Sequence, residues 1–146
     1  MKKLLLILLC LPMIGFGQVY IPDANFKAYL VGNSLINTNG DSEIQVSEAT
    51  TFGGGIFCHQ LNISNLTGIE QFTALEYLEC SSNQLTSLDV SNNTALEHLE
   101  CWNNQITSLD ASGCTALEHL LAGENQITSL DVSGATALTS LDCEDN

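Results

Sequence analysis

Apolar positions return along this chain every 21 residues. Leu75, Leu78, Cys80, Leu85, Leu88 and Val90 are followed by Leu96, Leu99, Cys101, Ile106 and Leu109, then by Leu117, Leu120, Ala122, Ile127, Leu130 and Val132. A fourth copy opens at Leu138 and reaches Asn146 in mid-repeat. Polar columns recur as strictly: Asn83, Asn104 and Asn125; Asp89, Asp110 and Asp131; Thr94, Thr115 and Thr136. A fixed period of this length describes units that cannot bury their apolar faces alone and do so by stacking. The pattern predicts a solenoid in which each coil contributes Leu-x-Cys to a short strand of a parallel sheet. The three asparagines then turn inward as a ladder that satisfies loop backbone groups. The Asp and Thr columns are assigned to turns and backbone hydrogen bonds on the outer side.

The same ruler reads the N-terminal part. Ile56-x-Cys58 matches Leu78-x-Cys80, Ile63 and Leu66 match Leu85 and Leu88, and Ile69, Phe72 and Leu75 lead into the next coil. The solenoid is therefore assigned to 56–146, with 56–74 as a divergent first coil. Residues 18–55 are assigned to a helical cap. Pro22-Asp23 reads as a helix start with Asp23 as N-cap. Phe26, Tyr29 and Leu30 share one face of a helix over 24–31, which ends near Gly32. A short second helix is expected from Ser47, and Gly53-Gly54-Gly55 punctuates the chain before the coils. The fold class is α+β, a solenoid with a small helical cap. At Cys143-Glu-Asp-Asn146 no cap is visible, so either further coils follow or the last one frays.

Residues 1–17 carry a different pattern. Met1-Lys2-Lys3 precedes an apolar run from Leu4 to Ile14, and Gly15-Phe16-Gly17 supplies small residues before Gln18. This is the pattern of a secretory signal peptide cleaved after Gly17, too short to span a membrane. Secretion or display at the cell surface follows. Without Lys2 and Lys3, only Lys27 stands against 17 Asp and Glu, a formal charge of −16. Such a surface repels nucleic acid and anionic membranes and favours divalent cations or basic partners.

Five cysteines follow the leader. Cys58, Cys80, Cys101 and Cys143 fall in one repeat column, interrupted by Ala122. They read as a buried ladder of free thiols at a spacing of about 4.8 Å, where cysteine acts as a small hydrophobe. Cys114 lies outside the ladder, where sister coils carry Asn93 and Ala135, and is expected at the surface.

Strand alternation assigns the outward face, expected to be concave. It carries Tyr77, Glu79 and Ser81, then His98, Glu100 and Trp102, then His119, Leu121 and Gly123, then Ser140, Asp142 and Glu144. The column Glu79, Glu100, Leu121, Asp142 stacks carboxylates that repel one another unless a cation or basic partner relieves them. Trp102 is the only tryptophan and suits an anchor for a protein or glycan. Candidate ligand-binding residues are Tyr77, Glu79, His98, Glu100, Trp102, His119, Leu121 and Asp142. A His98–Glu100–His119 metal cluster is a weaker alternative.

The cap contains a second candidate site. Asn37-Thr-Asn39-Gly-Asp41-Ser-Glu43-Ile44-Gln45-Val-Ser-Glu48 follows the twelve-residue calcium-loop pattern in most places. Asn37, Asn39 and Asp41 take positions one, three and five, the Glu43 carbonyl seven, Gln45 nine, and Glu48 twelve. Asn37 replaces the usual Asp, and Ser42 the usual Gly. With two carboxylate ligands the expected Ca2+ affinity is about 10⁻⁴–10⁻³ M. The competing reading is an Asx-rich turn between two short helices.

The motif L-x-x-L-x-C-x-x-N-Q-[LI]-T-S-L-D-[VA]-S over 75–146, with Ile63-Ser-Asn-Leu66-Thr-Gly-Ile69 in the entry coil, resembles the leucine-rich repeats of secreted bacterial proteins of the internalin kind. It is most similar to the subgroup whose short repeats carry a cysteine ladder. Ile21-Pro-Asp-Ala-Asn-Phe-Lys27 with its calcium-type loop resembles an EF-hand or dockerin-like leader. The resemblance implies protein recognition or adhesion at a cell surface. The expected function is a binding module for a protein or glycan with a calcium-stabilised cap. The alternative is a structural spacer, or the N-terminal fragment of a longer surface protein, with no ligand of its own. An enzyme is not expected, because His, Ser and Asp fall in repeat columns rather than converging on a pocket.

Overall fold

The computed structural model describes residues 17–146. The signal-peptide assignment falls on residues outside the described part, apart from Gly17. The chain begins with helices α1 (Ala24–Gly32) and α2 (Val46–Thr51) and continues through strands β1 (Gly55–Phe57), β2 (Tyr77–Glu79), β3 (Ser87–Asp89), β4 (His98–Glu100), β5 (Ser108–Asp110), β6 (His119–Leu121), β7 (Ser129–Asp131) and β8 (Ser140–Asp142). A 3-10 turn at Ile69–Gln71 lies in the first coil. The architecture is a parallel-strand, leucine-rich-repeat solenoid of coils 21 residues long with a small helical N-terminal part.

Two sheets run along the coils. The first has five parallel strands in the order β1-β2-β4-β6-β8, and its register matches the repeat: Leu78 lies beside Leu99, Leu99 beside Leu120, Leu120 beside Leu141. β8 is formed and paired, so the last coil keeps its strand. The second sheet, β3-β5-β7, was not foreseen. The expectation for the Asp column is a turn, yet Asp89 lies on a strand, exposed between the buried Leu88 and Val90. That period of two lets Leu88, Leu109 and Leu130 pair in register. The Asp column does serve the turn that follows. Asp89, Asp110 and Asp131 accept from the N–H groups of Ser91, Ser112 and Ser133, each at 2.9 Å.

Between the sheets lies a continuous apolar core. Leu78, Leu85, Leu96, Leu99, Ile106, Leu117 and Leu120 are fully buried, and the core extends into the cap through Val19, Ile21, Phe26, Leu30, Ile36 and Ile44. Cys58, Cys80, Cys101 and Ala122 are buried in one column, and the thiols are free. Burial pushes the Cys58 and Cys101 thiols up to about 12 and Cys80 well above its ordinary value.

Cys114 corrects the expectation of surface exposure. It is buried, and its Sγ approaches the Val90 carbonyl at 3.1 Å. One coil earlier Asn93 holds the same place and donates to the Ile69 and Phe72 carbonyls at 2.9 Å. The column is therefore an inward corner that takes a small side chain, and Asn93 and Cys114 use theirs to meet backbone carbonyls.

The asparagine ladder forms as expected. Asn83 Oδ1 accepts from Leu61 and Ile63 N–H, and its Nδ2 donates to the Cys58 and Cys80 carbonyls. Asn104 and Asn125 repeat the arrangement one and two coils on. Just before each ladder residue the chain turns through a left-handed corner at Ser82, Asn103, Glu124 and Asp145, with φ of 53–57°. On the far side, Gly113 and Gly134 stack so closely that a Cβ would lie 1.7 Å from the Ser91 carbonyl oxygen and 1.8 Å from that of Ser112. Only glycine allows those coils to approach.

The cap is tied to the first coil by Asp23. Its Oδ1 caps α1 by accepting from Asn25 and Phe26 N–H, and its Oδ2 accepts from Ser64 N–H, Ser64 Oγ and Asn65 N–H. One carboxylate thus starts the helix and fixes its angle to the solenoid.

Candidate recognition face

The outward side of the five-stranded sheet collects the side chains that alternation assigned to it. Register places Tyr77, His98, His119 and Ser140 in one column, and Phe57, Glu79, Glu100, Leu121 and Asp142 in the next. The first column is a run of rings, which the Phe57 ring joins by leaning across from the second column over Gly55. Phe57 and Tyr77 have centroids 5.2 Å apart, Tyr77 and His98 5.3 Å, and His98 and His119 4.6 Å. Phe57 is half exposed and was missed in the sequence, although its place between Ile56 and Cys58 points it outward. Its ring lies over Gly55, where any Cβ would come 2.5 Å from it. A larger residue there would evict the ring.

The carboxylates of the second column are not left to repel each other. Glu79 Oε1 lies 3.2 Å from His59 Nδ1. The Tyr77 hydroxyl donates to Glu100 Oε1. That bond, joined by burial and by the charges of Glu100 and Glu79, pushes the Tyr77 hydroxyl up to about 12. Two of the three acids in the column thus find partners within the chain, and Leu121 separates them from Asp142.

Two cavities open on this face. One of about 270 Å³ is lined by His98, Leu99, Glu100, His119 and Leu121. The other, about 290 Å³, lies between Trp102, Leu121 and Gly123 and the acids Glu124, Asp142, Glu144 and Asp145. Trp102 is 36% exposed. Ser81, expected to point out, is 1% exposed. It stands beside Trp102 in the ladder, and so short a side chain sinks below its larger neighbours. Among the described residues no three of His, Cys, Asp and Glu come together to hold a metal ion, which removes the His98–Glu100–His119 cluster. A third cavity of about 310 Å³ lies elsewhere, at the β3 edge between Asn65, Thr67, Glu70 and Asp89. It is far from the ring column and gathers no reactive group.

The cap loop is knitted by its own hydrogen bonds. Asn39 Oδ1 accepts from Asp41 N–H and Asp41 Oδ1 from Glu43 N–H, both at 2.8 Å, as successive Asx turns. Asp41 Oδ2 meets the side-chain amides of Asn39 and Gln45. These three residues converge. Asn37 Oδ1 accepts from Gly40 N–H and its Nδ2 donates to the Val31 and Asp41 carbonyls, while Glu43, whose carbonyl is the expected ligand, pairs through its carboxylate with Lys27 at 2.7 Å. Glu48 accepts from Thr38 and Asn39 N–H, Thr38 Oγ1 and Gln45 N–H. Burial alone would raise the Glu48 carboxyl, but these bonds outweigh it and hold it below the ordinary range.

Comparison with known proteins agrees with this geometry. Residues 94–134 match the leucine-rich-repeat family in its two-copy form. Internalin J of Listeria monocytogenes serotype 4b (strain F2365) is 37% identical over 75 residues, which are 51% of this chain and 8% of that protein. The solved functional domain of InlJ from Listeria monocytogenes, described as including a cysteine ladder, superposes with a TM-score of 0.72 at 38% identity, over 84% of this chain and 26% of that one. The internalin InlF of Listeria monocytogenes strain 4b F2365 gives a TM-score of 0.66 at 25% identity, over 85% and 37%. This chain thus carries internalin-like leucine-rich repeats and spans less than half the length of each of these relatives. The likeness supports no EF-hand or dockerin assignment for the leader.

Proposed function

We propose that this protein is a secreted or surface-displayed recognition module that binds a protein through the outward face of its five-stranded sheet. The observation that carries the reading is the ring column Phe57, Tyr77, His98 and His119, continued by the exposed Trp102. Aromatic side chains that stay outward on a rigid parallel sheet lose little entropy on binding and offer large contact area, which is how anchors work at interfaces. A spacer needs no such column. Among the described residues no helix is long and apolar enough to cross a membrane, and the likeness to internalins favours an extracellular setting. A glycan could stack on the same rings, but the surrounding carboxylates favour a polypeptide with charge of its own.

The test is selection of displayed peptides against the whole protein, followed by Tyr77→Ala and Trp102→Ala in the protein. Loss of capture with retained fold supports the reading. Capture that neither variant changes would assign the chain to the spacer class. For the cap, the convergence of Asn39, Asp41 and Gln45 favours a weak Ca2+ site, with affinity on the order of 10⁻⁴–10⁻³ M. Melting in 10 mM CaCl2, roughly ten times the upper figure or more, against chelator tests it. A higher midpoint with Ca2+ supports the site, and an unchanged one removes it.

A further inference from the structure

We propose that the cavity beside Trp102 receives an arginine or lysine side chain, so that the partner of this face is a basic polypeptide segment. The inference rests on the recognition reading above and names the chemistry of its ligand.

Charge is distributed unevenly over the face. In its N-terminal half, Glu79 and Glu100 are partnered by His59 and Tyr77. In its C-terminal half, Glu124, Asp142, Glu144 and Asp145 border one cavity of about 290 Å³ with Trp102 as a wall. Nothing basic in the described chain reaches them. Residues 17–146 contain no arginine and one lysine, Lys27, which Glu43 holds at 2.7 Å in the cap. Asp142 Oδ1 accepts from Glu144 N–H at 2.9 Å, a turn contact that leaves the charge in place.

The shape of the cavity selects the form of the cation. Gly123 lines it, and a Cβ there would already press on the next coil, 3.1 Å from the Glu144 carbonyl and 3.4 Å from Asp142 Oδ1. The repeat places Trp102 one coil earlier in the same column, and with no side chain at Gly123 the cavity lies open beside the indole. The carboxylates ring this hollow without three of them closing on a single point. A bare divalent ion therefore lacks a coordination shell, whereas a guanidinium or ammonium group on a long stem spans the separation. The stem packs on Leu121 and the cation lies against the Trp102 ring, the best aromatic partner for a cation. Charge complementarity then steers the segment onto the face, and the ring column takes its apolar residues.

The single tryptophan makes the test direct. A tetra-arginine peptide is titrated into the whole protein while Trp102 emission is followed, with tetra-citrulline as the neutral isostere. The expected result is a saturable change with arginine that weakens with added salt, and binding by citrulline weaker by about tenfold or more. Asp142→Asn with Glu144→Gln should weaken arginine binding by a similar factor, since the Asn keeps the oxygen that accepts from residue 144. Glu97→Gln with Glu118→Gln removes equal charge outside the cavity and should change little. Equal binding of both peptides, or an equal loss in the two double variants, overturns the proposal. If displayed peptides lacking basic residues are captured through Tyr77 while tetra-arginine leaves Trp102 emission unchanged, the face recognises partners and the basic class is wrong. If neither engages the face, both readings fall.

Discussion

Replacing Asn125 by alanine should cost far more stability than the same change at Asn146, although the two side chains make the same bonds. Asn125 Oδ1 accepts from Ile106 N–H at 3.0 Å, and its Nδ2 donates to the Cys101 and Ala122 carbonyls at 3.0 and 3.2 Å. Asn146 accepts from Ile127 N–H at 2.9 Å and donates to the Ala122 and Cys143 carbonyls at 3.0 and 2.9 Å. The difference is water. Asn125 is 7% exposed, whereas Asn146 lies in the open. A buried N–H or carbonyl left unpaired costs about 1–3 kcal/mol, so orphaning the Ile106 N–H and a carbonyl should cost about 3 kcal/mol at Asn125. At Asn146 solvent replaces the lost bonds, and the cost should stay below about 1 kcal/mol. For a chain of this size the first value lowers Tm by about 10 °C. Urea unfolding of the two variants, followed in parallel by far-ultraviolet dichroism and by Trp102 emission, measures both and detects separate melting of the last coils. Equal losses at the two positions would refute the account, because burial would then not set the worth of a ladder bond.

Gly113→Ala should destabilise by about 3 kcal/mol or more, since its Cβ would enter the Ser91 carbonyl and the coils must part; Gly32→Ala, with open space around it, should change stability little, and chemical denaturation compares them. With a thiol reagent at pH 8, Cys143, which is only partly buried, should react in the folded protein, while Cys58, Cys80, Cys101 and Cys114 react only after denaturation. Asp23 carries a pH signature: burial would raise its carboxyl, but bonds from Ser64, Phe26 and Asn25 outweigh that and hold it below its ordinary 3.8. A carboxylate lowered on folding contributes stability that is complete above the unfolded value and is lost as pH falls through the folded one. Asp23→Asn should therefore flatten the acid limb of a stability profile below about pH 4 while lowering stability near neutrality.

The parts of this fold that were legible in the sequence are those that repeat. The buried column Leu78, Leu99 and Leu120, the thiol ladder and the asparagine ladder all follow from one spacing, because stacked coils place equal positions side by side. Asp23 was legible for a local reason, since a capping side chain reaches its own helix start. Three features were not. The strand Ser87–Asp89 is too short for period two to be told from a turn, and its pairing depends on neighbouring coils. Cys114 was misplaced because its column holds Asn93 and Ala135, which read as surface residues, whereas the corner is buried and needs only a small side chain. The pairs His59–Glu79 and Tyr77–Glu100 cross from coil to coil through rotamers that no spacing specifies.

That division bears on where recognition resides. A position that recurs in every coil must satisfy the same neighbours each time, so it reports on stacking. The aspartates show this: Asp89, Asp110 and Asp131 recur, and each accepts a backbone N–H of the turn it closes. Their charge is structural in use. The outward columns of the five-stranded sheet behave differently. Glu79 and Glu100 give way to Leu121 and then Asp142, and Ser81 gives way to Trp102, Gly123 and Glu144. The strands there pair in the same register from coil to coil, so the repeat itself does not call for the changes. The substitutions combine into features that a repeat cannot make alone: a ring column that hydrogen-bonds Glu100 through Tyr77, and beside Trp102 a cavity whose acids have no basic partner among the described residues. Departures buried in the core, such as Ala122 and Cys114, answer to packing; those on the outward face are free to distinguish one partner from another.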